Sequence, residues 1–470
     1  MQISPSSTPD KILATRTFTL GDQLDFARFS GDYNPIHVDE TFARRTLAGR
    51  CIVHGMHGVL WALDALAFKK NLSANAFKIR FVRPVFLDQE VICTWDPNHC
   101  RLTITADGAV LTTIAVNVDV IRPSLAKEHP VHRSGQSPLA LTFEDCANLG
   151  TQSIEAVGTT NLAAVLFPSF CSNYGLGPAV DFGLASYVVG MRCPGLHSLF
   201  TKFIGKLDSS PTTAQFSVSE SDARFGLINL AFRGTALTGD IETIYRPPPS
   251  INPTVATVAR SVVKGEFSST RALVLGGSRG LGELVAKLLA AGGAQIVLTY
   301  LVGEADAGAI CREINENGGI CQHKQLSATA ETLRQVDYSE FNQIYYFPTP
   351  KILGSRSPQF DALQGASYRE IYVDAFEALC NTIIKNNLYL SVFYPSSVFV
   401  EKAPPGLEAY AKSKREGELI ANASHGTRGL KILSERLPQL ATDQNQTLVD
   451  TTFMDSVACL LPIIRRMHSM

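Results

Sequence analysis

The 470-residue chain is short of several features that would fix its class at once. It has no apolar run near the ~20 residues that a membrane-spanning helix needs, so no membrane partner is expected. It has no excess of charge. Lys and Arg number 42 and Asp and Glu 43, for a formal net charge of -1, without a long basic run. A nucleic-acid or anionic-membrane surface is therefore not expected. Ten cysteines are present, but no C-x-x-C pair and no Cys/His cluster at metal-ligand spacing. They read as buried small hydrophobes in a reducing compartment, with no metal site. The N-terminal "MQISPSSTPDK" lacks the apolar core of a secretion signal, and the expectation is a cytoplasmic protein. The length exceeds what one core covers, which points to two to four units.

Two polar, Pro-containing stretches read as linkers, "RPSLAKEHPVHRSGQSP" from Arg122 and "YRPPPSINP" from Tyr245. They cut the chain into three pieces, expected at 1–125, 135–250 and 265–470. In the first, helical pattern lies between Phe42 and Phe68. Alternating strands follow in "FKIRFVRPVF", "EVICTW", "RLTITAD" and "VLTTIAVNVDVI". The second piece repeats this shape weakly: "ASYVVGMRCPGL" from Ala185 echoes "RCIVHGMHGVL" from Arg50. Both pieces end on a strand followed by Arg-Pro, at Arg122-Pro123 and Arg246-Pro247, the mark of a diverged duplication. The third piece alternates short apolar strands with helical patterns, which implies a parallel, doubly wound α/β sheet.

"LVLGGSRGLGE" places Gly276, Gly280 and Gly282 between the first strand and first helix of that sheet. Such a loop is either a tight turn or a cradle for a pyrophosphate at a helix N-terminus. Further on, Tyr410 and Lys414 form a Y-x3-K pair on one helical face, with Ser397 upstream at a strand end. Alone, that pair also fits an exposed amphipathic helix. Together the three features resemble the short-chain dehydrogenase/reductase family, of Rossmann type, over roughly 268–470. The resemblance implies that Tyr410 protonates a substrate carbonyl as hydride arrives, that Lys414 lowers the Tyr pKa and holds the ribose, and that Ser397 hydrogen-bonds the substrate oxygen. Gly276, Ser278, Arg279, Gly280, Leu281 and Gly282, with Tyr410 and Lys414, would hold the cofactor. The second strand ends at Tyr300 without a carboxylate, and Arg279 can meet a 2′-phosphate, so NADP (NADPH) is expected. Departures from the family are "YFPTPK" after the fourth strand, Asp374 near a position usually held by Asn, and no evident seventh strand.

"SGDYNPIHVDE" sets Asp32 and His37 on either side of an Asn-Pro turn. A carboxylate and an imidazole sharing one water can exchange its proton; the plainer reading is a helix-capping Asp and a loop His. The whole string "FSGDYNPIHVDETFA…CIVHGMHG" resembles the MaoC-like dehydratases, or (R)-specific enoyl-CoA hydratases, of the α+β hot-dog fold. The match covers about 12–119. It implies that Asp32 and His37 handle the water and proton in hydrating a trans-2-enoyl thioester, and that the Gly55 N–H faces the thioester oxygen. His54 and His57 read as structural. The second piece lacks Asp-x4-His and resembles a silent second hot-dog.

The chain is therefore expected to be a tandem hot-dog, its second unit degenerate, followed by a Rossmann-type sheet. Its expected work is NADPH-dependent reduction of a 3-ketoacyl thioester and reversible dehydration of the (3R)-hydroxy product. CoA or acyl carrier protein would carry the acyl group, and a homo-oligomer would form through the reductase part. Rival readings are a hydratase with a non-reducing nucleotide-binding unit, and a non-catalytic acyl-carrier-binding scaffold.

Overall fold

The computed structural model of the protein describes residues 11–70, 72, 74–118, 137–154, 160–208, 213–246, 248–352, 358–442 and 453–470. Residues 122–136 of the first linker-like stretch lie outside them. The chain divides into two compact units, the second beginning at Pro249.

The first unit is built on one antiparallel sheet. Its first half holds β1 (Lys11–Thr17), β2 (Ala74–Phe81), β3 (Glu90–Asp96), β4 (Arg101–Ala106) and β5 (Ala109–Val118). Its second half holds β6 (Gln152–Ser153), β7 (Ser198–Leu207), β8 (Gln215–Asp222), β9 (Leu227–Arg233) and β10 (Leu237–Tyr245). The order is β1-β3-β4-β5-β2-β7-β10-β9-β8-β6, so the second half repeats the first outward from a β2–β7 seam. At the seam Phe77 lies opposite Gly205 and Ile79 opposite Phe203. Val91, Cys93 and Trp95 alternate inward on β3, the period-2 pattern of a sheet with one covered face.

Each half carries a helix against the sheet, Gly55–Lys70 and Leu176–Tyr187. The second is buried at every position from Gly177 to Tyr187, and its polar members are hydrogen-bonded, Asp181 accepting from the Leu237 N–H and Ser186 donating to Asp32. Phe182 meets Phe77 of the other half at 5.2 Å and Phe203 at 5.9 Å, both edge-on, so the halves share one core.

The duplication read from "ASYVVGMRCPGL" has the wrong register. Gly55 opens its helix, whereas Gly190 lies in a π-helical turn, Val188–Arg192, that ends the other. The halves repeat in strand order, and the local Gly-Met likeness joins opposite helix ends.

The second unit holds β11 (Arg271–Leu275), β12 (Gln295–Tyr300), β13 (Ile320–Gln325), β14 (Gln343–Tyr346), β15 (Ser391–Ser397) and β16 (Lys431–Leu437). All pair in parallel, in the order β13-β12-β11-β14-β15-β16. Apolar clusters cover both faces. The order reverses between β11 and β14, which opens a crevice at the strands' C-terminal ends. Residues 249–253 of the second linker-like stretch, and 254–264 after it, belong to this unit, which therefore starts before the expected 265. Asn252 Nδ2 donates to Gly280 O at 2.9 Å and to Glu283 at 3.0 Å, and Val255 N–H donates to Glu313 at 2.7 Å. No helix among the described residues is long and apolar enough to cross a membrane.

Candidate active sites

The first site begins where the helix Leu20–Ser30 stops. Thr19 and Asp22 cap its start reciprocally, and Gly31, at φ 79°, ends it in the left-handed conformation that glycine adopts without strain. The chain then turns through Asp32 to a short helix, Pro35–Val38, capped by Asn34 with Pro35 at its first position. Asn34 does more than cap. Its Nδ2 donates to Gly190 O at 2.9 Å and Gly195 O at 3.1 Å, which pins the turn to the second half of the unit.

Asp32 is buried. One carboxylate oxygen accepts from Ser186 Oγ at 2.7 Å and the other from the Asn34 N–H at 3.2 Å. A Cβ on Gly190 would lie 2.2 Å from that second oxygen, so only glycine fits there. Burial pushes the Asp32 carboxyl up to about 7, against the opposing pull of the Ser186 and Asn34 hydrogen bonds. His37 Nδ1 donates to Ile52 O at 2.8 Å, which leaves Nε2 as a lone-pair acceptor. Burial brings its imidazole down to about 4; the bond to Ile52 opposes this and the charge of Arg246 adds to it. At neutral pH His37 is therefore neutral and Asp32 is poised near half-ionisation.

His37 stacks on His54 with ring centroids 3.9 Å apart. His54 bridges Gln23 Oε1, 2.9 Å from Nδ1, and the Asp32 carbonyl, 2.9 Å from Nε2. One ligand atom from each of Asp32, His37 and His54 lies within 4.8 Å of the others. Both His54 nitrogens already face oxygens, so this trio is a hydrogen-bonded frame and a poor metal ligand set. His57 is enclosed by aromatic rings, stacked on Phe26 at 4.8 Å, with neither nitrogen partnered. Burial takes it down to about 3, and it packs as a neutral ring. Gly55 opens its helix directly after His54. Its N–H is among those a helix start leaves without an intrahelical acceptor, and the Phe81 ring fills the space of a Cβ.

The second site lies at the C-terminal ends of β11 and β15. Gly276, at φ 71°, donates its N–H to Thr299 Oγ1 at 3.1 Å, and Gly277 donates to Thr299 O at 2.9 Å. A Cβ on Gly282 would sit 2.4 Å from Gly276 O, whereas one on Gly280 would meet nothing within 4 Å. The loop is thus closed against the sheet and open at Gly280, where a 12-residue helix starts with Arg279 at its N-cap. Ser278 is buried and Leu281 partly so. That is a fit for a pyrophosphate. At the end of β12, burial raises the Tyr300 phenol and the nearby Glu304 carboxylate of the following helix adds to it, a carboxylate that the strand alone does not reveal.

Ser397 ends β15, and Tyr410 and Lys414 lie one turn apart on the helix Glu408–Ser424. Ser397 Oγ accepts the Phe399 N–H at 3.2 Å, and its hydroxyl is near enough to Tyr410 to favour the ionised phenol. Lys414 Nζ donates to Pro395 O at 2.7 Å and lies 3.9 Å from the centre of the Tyr372 ring. Burial pushes Tyr410 up to about 12, with Ser397 opposing, and brings Lys414 down to about 7, with Glu418 opposing. Against the expectation that Lys414 lowers the tyrosine, burial and Tyr368 raise Tyr410 in this environment, and Ser397 is the group that opposes them. Asp374 is half-exposed and 3.6 Å from Arg369, outside this group. The ring that faces Lys414 is that of Tyr372, on a π-helical turn, Glu370–Ala375.

Residues 6–105 match the family described as MaoC like domain. Peroxisomal multifunctional enzyme type 2 of Mus musculus is 28% identical over 147 residues, a match that covers 30% of this chain and 20% of that protein. Among solved structures, a short chain dehydrogenase from Burkholderia cenocepacia J2315 in complex with NADP is 22% identical with a TM-score of 0.37, covering 43% of this chain and 91% of that one. A dehydrogenase/reductase from Sinorhizobium meliloti 1021 is 20% identical with a TM-score of 0.37, covering 45% and 91%. The N-terminal part of the chain, where the Ser30–Asp39 turn gathers Asp32 and His37, is a MaoC-like domain.

Proposed function

We propose that the chain is a bifunctional enzyme of acyl-thioester metabolism, an (R)-specific enoyl-thioester hydratase joined to an NADPH-dependent 3-ketoacyl reductase. The observation that carries the reading is the Asp32–His37 pair, with Asp32 buried and His37 partly so, the carboxyl raised and the imidazole lowered, and the turn fixed from both halves of one sheet. In hydration, His37 Nε2 holds a water by its lone pair. Asp32 takes the water's proton as oxygen bonds to C3, and the same carboxyl group returns a proton to C2. The Gly55 N–H donates to the thioester oxygen as it gains enolate charge. Dehydration reverses these steps. The second half is read as a degenerate hot-dog without its own Asp-x4-His. It supplies Ser186 and the carbonyls of Gly190 and Gly195 to the first.

In the reductase unit, the loop Gly276–Gly282 and the start of its helix would hold NADPH, with Arg279 toward a 2′-phosphate. The nicotinamide supplies hydride to the substrate's C3. Tyr410 donates the proton to the carbonyl oxygen, Ser397 hydrogen-bonds that oxygen, and Lys414 is within the same helical turn to take the ribose hydroxyls. The shared (3R)-hydroxyacyl intermediate gives the fusion its purpose, since tethering raises its concentration at the second site. CoA or acyl carrier protein is the expected carrier, and a second copy of the chain the expected partner through the reductase unit.

A second reading keeps the hydratase and makes the C-terminal unit a binder without reduction. The grip of Pro395 O and the Tyr372 face on Lys414 favours it. Loss of the enoyl ultraviolet absorbance from crotonyl thioester, followed by chiral separation of the product, tests the first function. Absence of the (3R)-hydroxy product removes it. NADPH oxidation by a 3-ketoacyl thioester separates the two readings of the C-terminal unit.

A further inference from the structure

Five Asp, Glu, Lys or Arg side chains are buried among the described residues: Asp32, Asp181, Arg246, Lys287 and Lys414. A buried charge is retained when it is paired, hydrogen-bonded or used. Lys287 is paired, with Glu283 at 2.8 Å and Glu313 at 2.9 Å. Asp181 is satisfied by backbone, including the Leu237 N–H at 2.9 Å. Asp32 and Lys414 lie in the two candidate sites. Only Arg246 is left without an account.

Arg246 follows directly on β10, and the loop before β7 folds over it. Its N–H bonds to His197 O at 2.8 Å, its Nη2 to Leu196 O at 2.6 Å and its Nε to Ser198 O at 3.3 Å. The side chain is 2% exposed, and Nη1 has no partner among the described residues. No described carboxylate pairs with the guanidinium. The Phe42 ring lies 6.0 Å away, just beyond the helix that carries His37, and the charge is felt at His37. Carbonyls neutralise no charge, so this cation fits a site that receives an anion during function. Arg246 ends the second half of the sheet, 209 residues from His37 in the chain by its numbering, and only the fold brings them near.

We propose that Arg246 belongs to the hydratase site and that its unpaired Nη1 takes an anionic oxygen of the thioester substrate, a phosphate of the carrier or a carboxylate on the acyl chain. This rests on the hydratase reading above. A planar guanidinium already fixed by two carbonyls presents its remaining edge in one direction, which suits recognition of either oxyanion.

The test is steady-state hydration by the full chain of three substrates: crotonyl-pantetheine, which has no phosphate; crotonyl-CoA; and 3-carboxyacryloyl-pantetheine, which has a carboxylate and no phosphate. If the anion is a phosphate, the wild type prefers crotonyl-CoA to crotonyl-pantetheine by about tenfold or more in kcat/KM, mainly through KM. If it is a carboxylate, the same preference goes to the carboxyacryloyl thioester. In either case Arg246→Gln brings the preference near unity and Arg246→Lys retains part of it. The proposal is overturned if the wild type prefers neither anionic substrate, a result that needs no folded variant. It is also overturned if Arg246→Gln or Arg246→Lys lowers all three substrates by one common factor, which marks a structural role. Failure of the wild type to hydrate any of the three would instead remove the hydratase reading itself.

Discussion

Ser186→Ala isolates what the second half of the sheet does for Asp32. The Ser186 hydroxyl donates to the buried Asp32 carboxylate at 2.7 Å and so favours its ionised form. A hydrogen bond to a charged group contributes about 1.5–3 kcal/mol, which corresponds to about one to two pH units. Removing the hydroxyl should therefore raise the Asp32 carboxyl from about 7 to roughly 8–9. Hydration needs the carboxylate, so its rate rises with pH through that midpoint, and the whole rising limb should move to higher pH. At pH 7 the ionised fraction, and with it the rate, should fall roughly five- to fiftyfold, with recovery on the alkaline side. The assay is the pH profile of crotonyl thioester hydration for both proteins. An unmoved limb, or an equal loss at every pH, would refute the claim that Ser186 acts through the charge on Asp32.

Other perturbations separate the remaining parts. Asp32→Asn should abolish hydration yet stabilise the fold at alkaline pH. The carboxyl is raised on folding from 3.8 to about 7, so its contribution is fully present below about pH 4 and is lost as pH rises through 7. The gain in stability over wild type should therefore grow between thermal melts at pH 5 and pH 8, to on the order of 4 kcal/mol; no growth would contradict the burial argument. His37→Ala should cost at least ~10²-fold in hydration rate, measured by enoyl absorbance, while NADPH oxidation is retained. Tyr410→Phe should do the reverse, abolishing ketone reduction and sparing hydration; loss of both in a folded variant would replace two sites by one composite site. NADPH should bind more tightly than NADH by fluorescence titration, and Arg279→Gln should narrow the gap; equal affinities in the wild type would place the cofactor-selecting contact elsewhere, with Glu304 the first residue to examine.

The parts of this structure that were legible in the sequence are those whose chemistry is local. Asp32, Asn34 and His37 sit within one turn whose Gly, Asn and Pro dictate its shape, and Ser397, Tyr410 and Lys414 lie on one strand end and one helical turn. Ser186, Gly190 and Arg246 were not legible, because they reach the Asp32–His37 turn only across the shared core of the two halves. Ser186 is 154 residues from Asp32 and sits in a helix whose composition reads as core. β13 carries no apolar run in the sequence, because it is a sheet edge with one buried residue, Cys321. Tyr372 was not legible because a ring against a lysine is a packing relation, set by the π-helical turn that aims it. The Gly-Met likeness between the halves misled because it matched letters at opposite ends of two helices.

The central claim is that one chain performs two consecutive reactions. The purified protein, given acetoacetyl-CoA and NADPH, should consume NADPH and accumulate (3R)-hydroxybutyryl-CoA together with crotonyl-CoA, each identified by chiral chromatography and mass. NADPH left unconsumed while crotonyl-CoA is still hydrated to the (3R) product would contradict the claim and leave a hydratase beside a nucleotide-binding unit.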